Sequence, residues 1–264
     1  MNVRALRLLA AACVPALMLA ACGDDDDSAS ASDAPAEESS LEGDISVFAA
    51  ASLTDAFDEV GAAFEEANPD VSIEFNYGAS SALREQILSG APADVFAAAN
   101  ASNMDQVVEE GAATDPEDFV TNQLQIVVPA GNPGDVAGLD DFANVDLLIG
   151  LCAEEVPCGE LGREALANAE VAPEIDTNEP EVRALLTKIE AGELDAGIVY
   201  VTDVLAAGDT VEGIDIPADD NVTATYPIAG LSDAGNAEVA DAFVEFVLSS
   251  DGQAILETYG FKSP

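Results

Sequence analysis

From residue 44 onward the chain switches repeatedly between two hydrophobic periods, and this alternation limits its fold more than any other feature. Ile45 to Ala50 is a short apolar run, the pattern of a buried strand. Leu53, Phe57, Val60 and Phe64 then recur at helical spacing, and Asn68-Pro69 ends that helix. Ser52 followed by Asp55 fits a capping box at its start. Further strands are expected at Val71 to Phe75, Asp94 to Ala98, Gln123 to Val128, Leu147 to Gly150, Ala196 to Val201 and Ile214 to Ile216. Thr225 to Leu231 is apolar too, but Pro227 makes it an edge or hinge strand.

Helices are expected between these strands. One carries Leu83, Ile87 and Leu88, one lies around Met104 to Val108, and one runs from about Gly159 through Leu161 and Leu166. Asn178-Glu179-Pro180 opens another, with Val182, Leu185 and Ile189 on one face and proline at its first position. Two more close the chain, carrying Val239, Phe243 and Phe246, then Ile255, Leu256 and Tyr259. Strands alternating with helices define an α/β protein with mostly parallel sheets flanked by helices. About 220 folded residues with this many strands suit two small lobes better than one.

Charge narrows the function. The 264 residues include 52 acidic and 7 basic side chains and no histidine, a formal net charge of -45. Nucleic-acid binding needs clustered Lys and Arg and is excluded as a class. Catalytic sites of the Ser-His-Asp or Cys-His kind and histidine-dependent zinc sites are excluded with it. The apolar fraction of 49% is too high for a disordered acidic polymer.

The first 21 residues read as an export signal. Arg4 and Arg7 precede the uncharged apolar stretch Leu8 to Ala21, which is too short to span a bilayer. Leu19-Ala20-Ala21-Cys22 resembles a bacterial lipobox, which implies lipid on Cys22 and a place on the outer face of the cell membrane. Residues 22–43, rich in Asp, Ser, Ala, Pro and Glu, read as a disordered acidic tether. The run Asp24 to Asp27 lacks the spacing and glycine of a calcium loop. The remaining cysteines, Cys152 and Cys158, are expected to form a disulfide in an exported protein.

Several strand ends run directly into helix starts, where open α/β sheets bind ligands and where free N–H groups favour anions. Ser52, Ser80 with Ser81, Cys158-Gly159 and Pro180-Glu181-Val182 lie at such starts. A serine there is, by itself, ordinarily a cap.

Motifs in order along the chain add to this. Phe48-Ala49-Ala50-Ala51-Ser52-Leu53-Thr54, Tyr77-Gly78-Ala79-Ser80-Ser81, Gly90-Ala91-Pro92-Ala93-Asp94-Val95-Phe96, Val156-Pro157-Cys158-Gly159, Glu181-Val182-Arg183, Gly197-Ile198-Val199-Tyr200 and Tyr259-Gly260-Phe261 cover nearly all of residues 44–262. The series resembles the molybdate-binding proteins of ABC transporters, the ModA type. That resemblance implies a two-lobed type II periplasmic-binding-protein fold. Residues 44–122 and 230–264 would form lobe I and residues 123–229 lobe II, with crossings near Asn122 to Val127 and Thr223 to Ala229. It further implies an oxyanion, molybdate and equally tungstate, held between the lobes by the hydroxyls of Ser52, Ser80 and Tyr200 and the N–H groups of Cys158 and Val182. Cys158 departs from the alanine common at its position, although a backbone donor survives that change. The implied protein is a monomer without a cofactor or a direct metal-ion ligand, and it passes its ligand to an ABC permease.

Three rivals are weighed against this: a same-fold receptor for another oxyanion or small solute, a structural surface lipoprotein, and a secreted hydrolase using Ser52 or Ser80. The hydrolase would need a lysine base, and neither Lys188 nor Lys262 sits in a motif beside a serine.

Overall fold

In the computed structural model, residues 41–264 are described. The export signal, Cys22, the Asp24 to Asp27 run and most of the tether lie outside them. The first strand already begins at the last residue assigned to the tether: β1 spans Gly43–Ala50.

A 3-10 turn, Ala51–Leu53, leads into α1 (Thr54–Ala67), followed by β2 (Val71–Gly78), α2 (Ser80–Leu88), β3 (Val95–Ala97) and α3 (Ala101–Glu109). The long strand β4 (Glu117–Pro129) comes next. After it follow β5 (Ile149–Cys152), α4 (Pro157–Asn168), β6 (Thr177–Glu179), α5 (Val182–Glu190), β7 (Ala196–Tyr200), α6 (Val201–Ala207) and β8 (Val211–Asp215). The chain ends with β9 (Thr223–Gly230), α7 (Ala237–Leu248) and α8 (Ser250–Thr258).

The strands form one sheet in the order β2-β1-β3-β9-β4-β7-β5-β6, with β8 paired to β4. It is mixed rather than mostly parallel. β1 pairs in parallel with β2 and β3, and β5 with β6 and β7, as βα crossovers require. The pairings made by β4 and β9 are all antiparallel. β4 changes partner along its length. Through Gln123 it pairs with β9, and from Leu124 with β7, Leu124 standing opposite Tyr200. Both segments expected to cross between lobes therefore lie within β4 and β9, beside each other.

Helices cover the sheet and seal the core. Phe57 and Phe64 of α1 meet Phe243 of α7 edge-on, with ring centroids 6.2 and 5.5 Å apart. A smaller apolar cluster joins Phe48 and Phe96 to Leu83, Ile87 and Met104 of α2 and α3. With helices on both faces, β1, β3, β5 and β7 are buried on both sides, so their sequences run apolar without alternation.

Three local expectations are corrected. Ser52 caps no helix: it lies inside the 3-10 turn, and its hydroxyl hydrogen-bonds to Tyr226 instead. Asn178 and Glu179 open no helix, because they belong to the edge strand β6. Pro180 is not the first residue of α5. The helix starts at Val182, capped by the Glu181 carboxylate, which accepts from the N–H groups of Arg183 (2.9 Å) and Ala184 (2.7 Å). A charged acceptor at the cap serves two orphan amides at once, more than a proline can.

Candidate functional site

Ser52, Ser80, Cys158, Val182 and Tyr200 come from five separate stretches of chain, and the fold gathers all of them around one cavity. Ala50, Ala51, Ala79, Ala99 and Pro157 fill the gaps between them. The space open to the centre of a water molecule is about 20 Å³. A cavity needs about 10–15 Å³ of such space for one water, so this one suits a single compact ion and not a sugar or an amino acid.

Each wall is delivered by a strand that ends in a helix start. β1 leads into the turn holding Ser52, β2 into α2 with Ser80 as its first residue, and β5 towards α4. Pro157 is the first residue of α4 and has no N–H, so Cys158 supplies the first amide of that helix. Val182 is the first residue of α5, and Glu181 occupies the next two amides. The N–H groups of Cys158 and Val182 thus have no partner within their helices, and both sit at the positive end of a helix dipole.

A disulfide joins Cys152 at the end of β5 to Cys158. Gly159 lets α4 close onto that strand end: a Cβ built on it would lie 1.8 Å from the carbonyl oxygen of Ala153.

The three hydroxyls are buried. Ser80 Oγ accepts the Ala99 N–H at 3.0 Å, and Ser52 Oγ lies 2.9 Å from the hydroxyl of Tyr226. The Tyr200 hydroxyl has no hydrogen-bond partner among the described residues. Burial pushes its pKa well above the ordinary tyrosine value, so it keeps its proton. No lysine or arginine lines the cavity among the described residues. One carboxylate, Glu181, does stand at the wall, but its two oxygens are turned to the amides they cap.

Behind the cavity, Asp203 is completely buried and accepts the Tyr200 N–H at 3.0 Å, which fixes the turn from β7 into α6. Burial raises its pKa to about 6, and the opposing pull of Arg183, whose Nε lies 3.1 Å from Asp203 Oδ1, limits the rise. Arg183 also pairs with Asp55 of α1.

Tyr226 and Asp203 escape a reading of the sequence. Tyr226 lies within an apolar run that Pro227 marks as a hinge, and its partner Ser52 is 174 residues away. Asp203 follows a strand and sits in a short helix whose Leu205 is 59% exposed, which hides the helical pattern.

A cavity of ion size built from neutral donors at helix starts, on a sheet of this topology, defines a solute-binding protein. The profile of the family described as bacterial extracellular solute-binding protein matches residues 45–262, and the chain belongs to that family. Molybdate-binding protein ModA of Mycobacterium tuberculosis is 36% identical over 247 residues, covering 93% of each chain. The Escherichia coli protein of the same name is 32% identical, covering 83% of this chain and 89% of its own. Among solved structures, the periplasmic molybdate-binding protein of Azotobacter vinelandii superposes with a TM-score of 0.75 at 18% identity, covering 83% of this chain and 99% of its own. At that identity the likeness speaks for the fold, as does that to the sulfate-binding protein SubI of Mycobacterium tuberculosis, with a TM-score of 0.76 at 19% identity, 84% of this chain and 87% of that one. The family is one of binding proteins rather than enzymes, and it needs no cofactor.

Proposed function

We propose that this protein captures molybdate, with tungstate as an equivalent ligand, and hands it to the permease of an ABC transporter. The ion sits in the cavity and accepts hydrogen bonds from Ser52, Ser80 and Tyr200 and from the N–H groups of Cys158 and Val182. Residues 44–122 with 230–264 form one lobe and residues 123–229 the other, hinged at β4 and β9, and their closure creates the surface that the permease reads. The mature protein is a monomer held to the outer face of the membrane by lipid on Cys22.

The observation that carries this reading is the lining: three buried hydroxyls and two helix-start amides around a space of ion size, with no lysine or arginine among the described residues and with the one carboxylate, Glu181, turned to the amides it caps. A dianion that has no proton to give requires this chemistry. Hydrogen bonds to a charged group contribute about 1.5–3 kcal/mol each, so five can offset much of the cost of stripping water from the ion. The relatives named for molybdate share the chain almost end to end. A serine hydrolase finds no support, since Lys188 is paired with Glu179 and lines no part of the cavity.

The test is calorimetric titration of the purified protein with molybdate, tungstate, sulfate and phosphate. Heat from the first two alone is the expected result. Silence from all four refutes the assignment.

A further inference from the structure

Cys158 stands in the first turn of α4, and two separate fasteners tie that turn to the end of β5. One is the disulfide from Cys158 to Cys152. The other is Arg163, just over one turn further along the same helix. Its side chain folds back toward the helix start, where Nη1 donates to the carbonyl oxygen of Cys152 at 2.8 Å and to that of Gly159 at 3.0 Å. Nη2 donates to Asn178 Oδ1 of the neighbouring strand β6. One nitrogen shared by two carbonyls fixes the gap between them. Those carbonyls belong to one half of the disulfide and to the residue directly after the other half.

The partners of Arg163 set it apart. In a chain with 52 acidic side chains, it makes no ion pair among the described residues, whereas Arg84, Arg183 and Lys188 do. Its guanidinium also lies at the end of α4 where the helix dipole favours anions. Holding a long, half-buried side chain in one geometry costs rotamer freedom as well. What offsets these costs is a set of hydrogen bonds from a charged donor, and all of them fasten the first turn of α4 to β5 and β6.

We infer that Arg163 is a positioning residue of the anion site: it and the disulfide each suffice to hold the start of α4 on β5, so the Cys158 N–H keeps its place whether or not the bridge is formed. A polar clamp that duplicates a covalent one makes capture of the ion indifferent to the redox state of the bridge. This inference rests on the reading of the cavity as an oxyanion site.

The test is a cycle of four purified proteins titrated with molybdate in a calorimeter: the wild type, Arg163→Met, Cys152→Ala with Cys158→Ala, and all three changes together. Either cut alone is expected to cost no more than about threefold in affinity. The three changes together are expected to cost about ten- to a hundredfold, the worth of one hydrogen bond to a charged acceptor. Arg163→Lys in the bridgeless background is expected to recover most of that loss, because one ammonium can donate to both carbonyls as Nη1 does. The two backgrounds separate positioning from charge, since a positive charge acting at a distance would count equally with and without the bridge. A loss by the same factor in both backgrounds therefore overturns the inference. So does a loss above about threefold in Arg163→Met with the bridge intact, or a triple variant that binds like the wild type. Should the triple variant not fold, the bridge is reduced in folded wild type and folded Arg163→Met, with a thiol count to confirm it. Weakened binding in Arg163→Met alone is then the expected result, and the same response in both proteins overturns the inference. Failure of the unreduced wild type to bind molybdate at all would instead sink the oxyanion reading itself.

Discussion

Arg183 follows Val182 directly in α5, and its guanidinium reaches out to Asp55 at the start of α1, three residues after Ser52. The residue next to Val182 and the residue three positions after Ser52 are thus joined by an ion pair. A second contact lies elsewhere on the rim, where the Asn100 amide before α3 donates to Glu160 of α4 at 2.9 Å. Both contacts join the segment before β4 to the segment after it, so a separation of those segments would break both.

Asp55→Asn removes the charge from the first of these contacts. The Asp55 side chain is 45% exposed, so the pair is screened and contributes about 0.5–1 kcal/mol at most. The expected outcome is a ligand dissociation rate raised by about two- to fivefold, with little change in association. Stopped-flow displacement of molybdate measures it. A rate equal to wild type would mean that the pair does not help to hold the cavity closed.

The acid dependence of stability follows from Asp203. Its pKa is raised to about 6 in the folded protein, against an ordinary value near 4, so the folded state prefers the protonated acid. The preference stabilises the fold fully below the unfolded value and is lost as pH rises through about 6. Asp203→Asn keeps an acceptor for the Tyr200 N–H and cannot ionise. Relative to wild type, the variant should therefore gain up to roughly 3 kcal/mol between acid and neutral pH. Urea unfolding of both proteins across that range measures the difference. A constant difference would show that Asp203 does not titrate in this window.

Individual donors should each register in affinity. Ser80→Ala removes a hydroxyl that accepts the Ala99 N–H and whose own proton has no acceptor among the described residues, which leaves that proton for a ligand. Molybdate affinity should fall by about ten- to a hundredfold, the worth of one bond to a charged acceptor. Tyr200→Phe, which deletes a hydroxyl without a hydrogen-bond partner among the described residues, should fall within the same range and leave thermal stability nearly unchanged. Equal calorimetric affinities for variant and wild type would remove that residue from the ligand shell.

What the sequence disclosed and what it concealed divide along physical lines. β1, β5 and β7 are buried on both faces, so their apolar runs were legible, and so was the motif that places Ser80 at the start of α2, whereas Ser52 lies in the 3-10 turn before α1. The first half of β4 was not. Glu117 to Asn122 contains few apolar residues and is held by β9, more than a hundred positions away, so no local period marks it. Edge strand β6 is only Thr177–Glu179, too short and polar to announce itself. The five residues expected to surround the ligand were found from ordered motifs and do share one cavity. The groups that orient them, Tyr226 behind Ser52 and Asp203 behind Tyr200, depend on tertiary contacts that no spacing encodes.

The disulfide provides the last test. It closes a short loop, with Cys152 and Cys158 six positions apart, and it ties the first turn of α4 to the end of β5. Closing so short a loop restrains the unfolded chain by only about 2 kcal/mol in the loop-entropy picture. Its larger consequence is local, because Cys158 lines the cavity from within the tied turn, and its N–H has no partner within the helix. Replacing both cysteines by alanine should lower unfolding stability by about that amount in urea titrations. Alanine retains the backbone N–H, so molybdate affinity should fall by less than in Ser80→Ala. A loss of affinity greater than that of Ser80→Ala would mean that the bridge, and not the helix start alone, holds the amide in place.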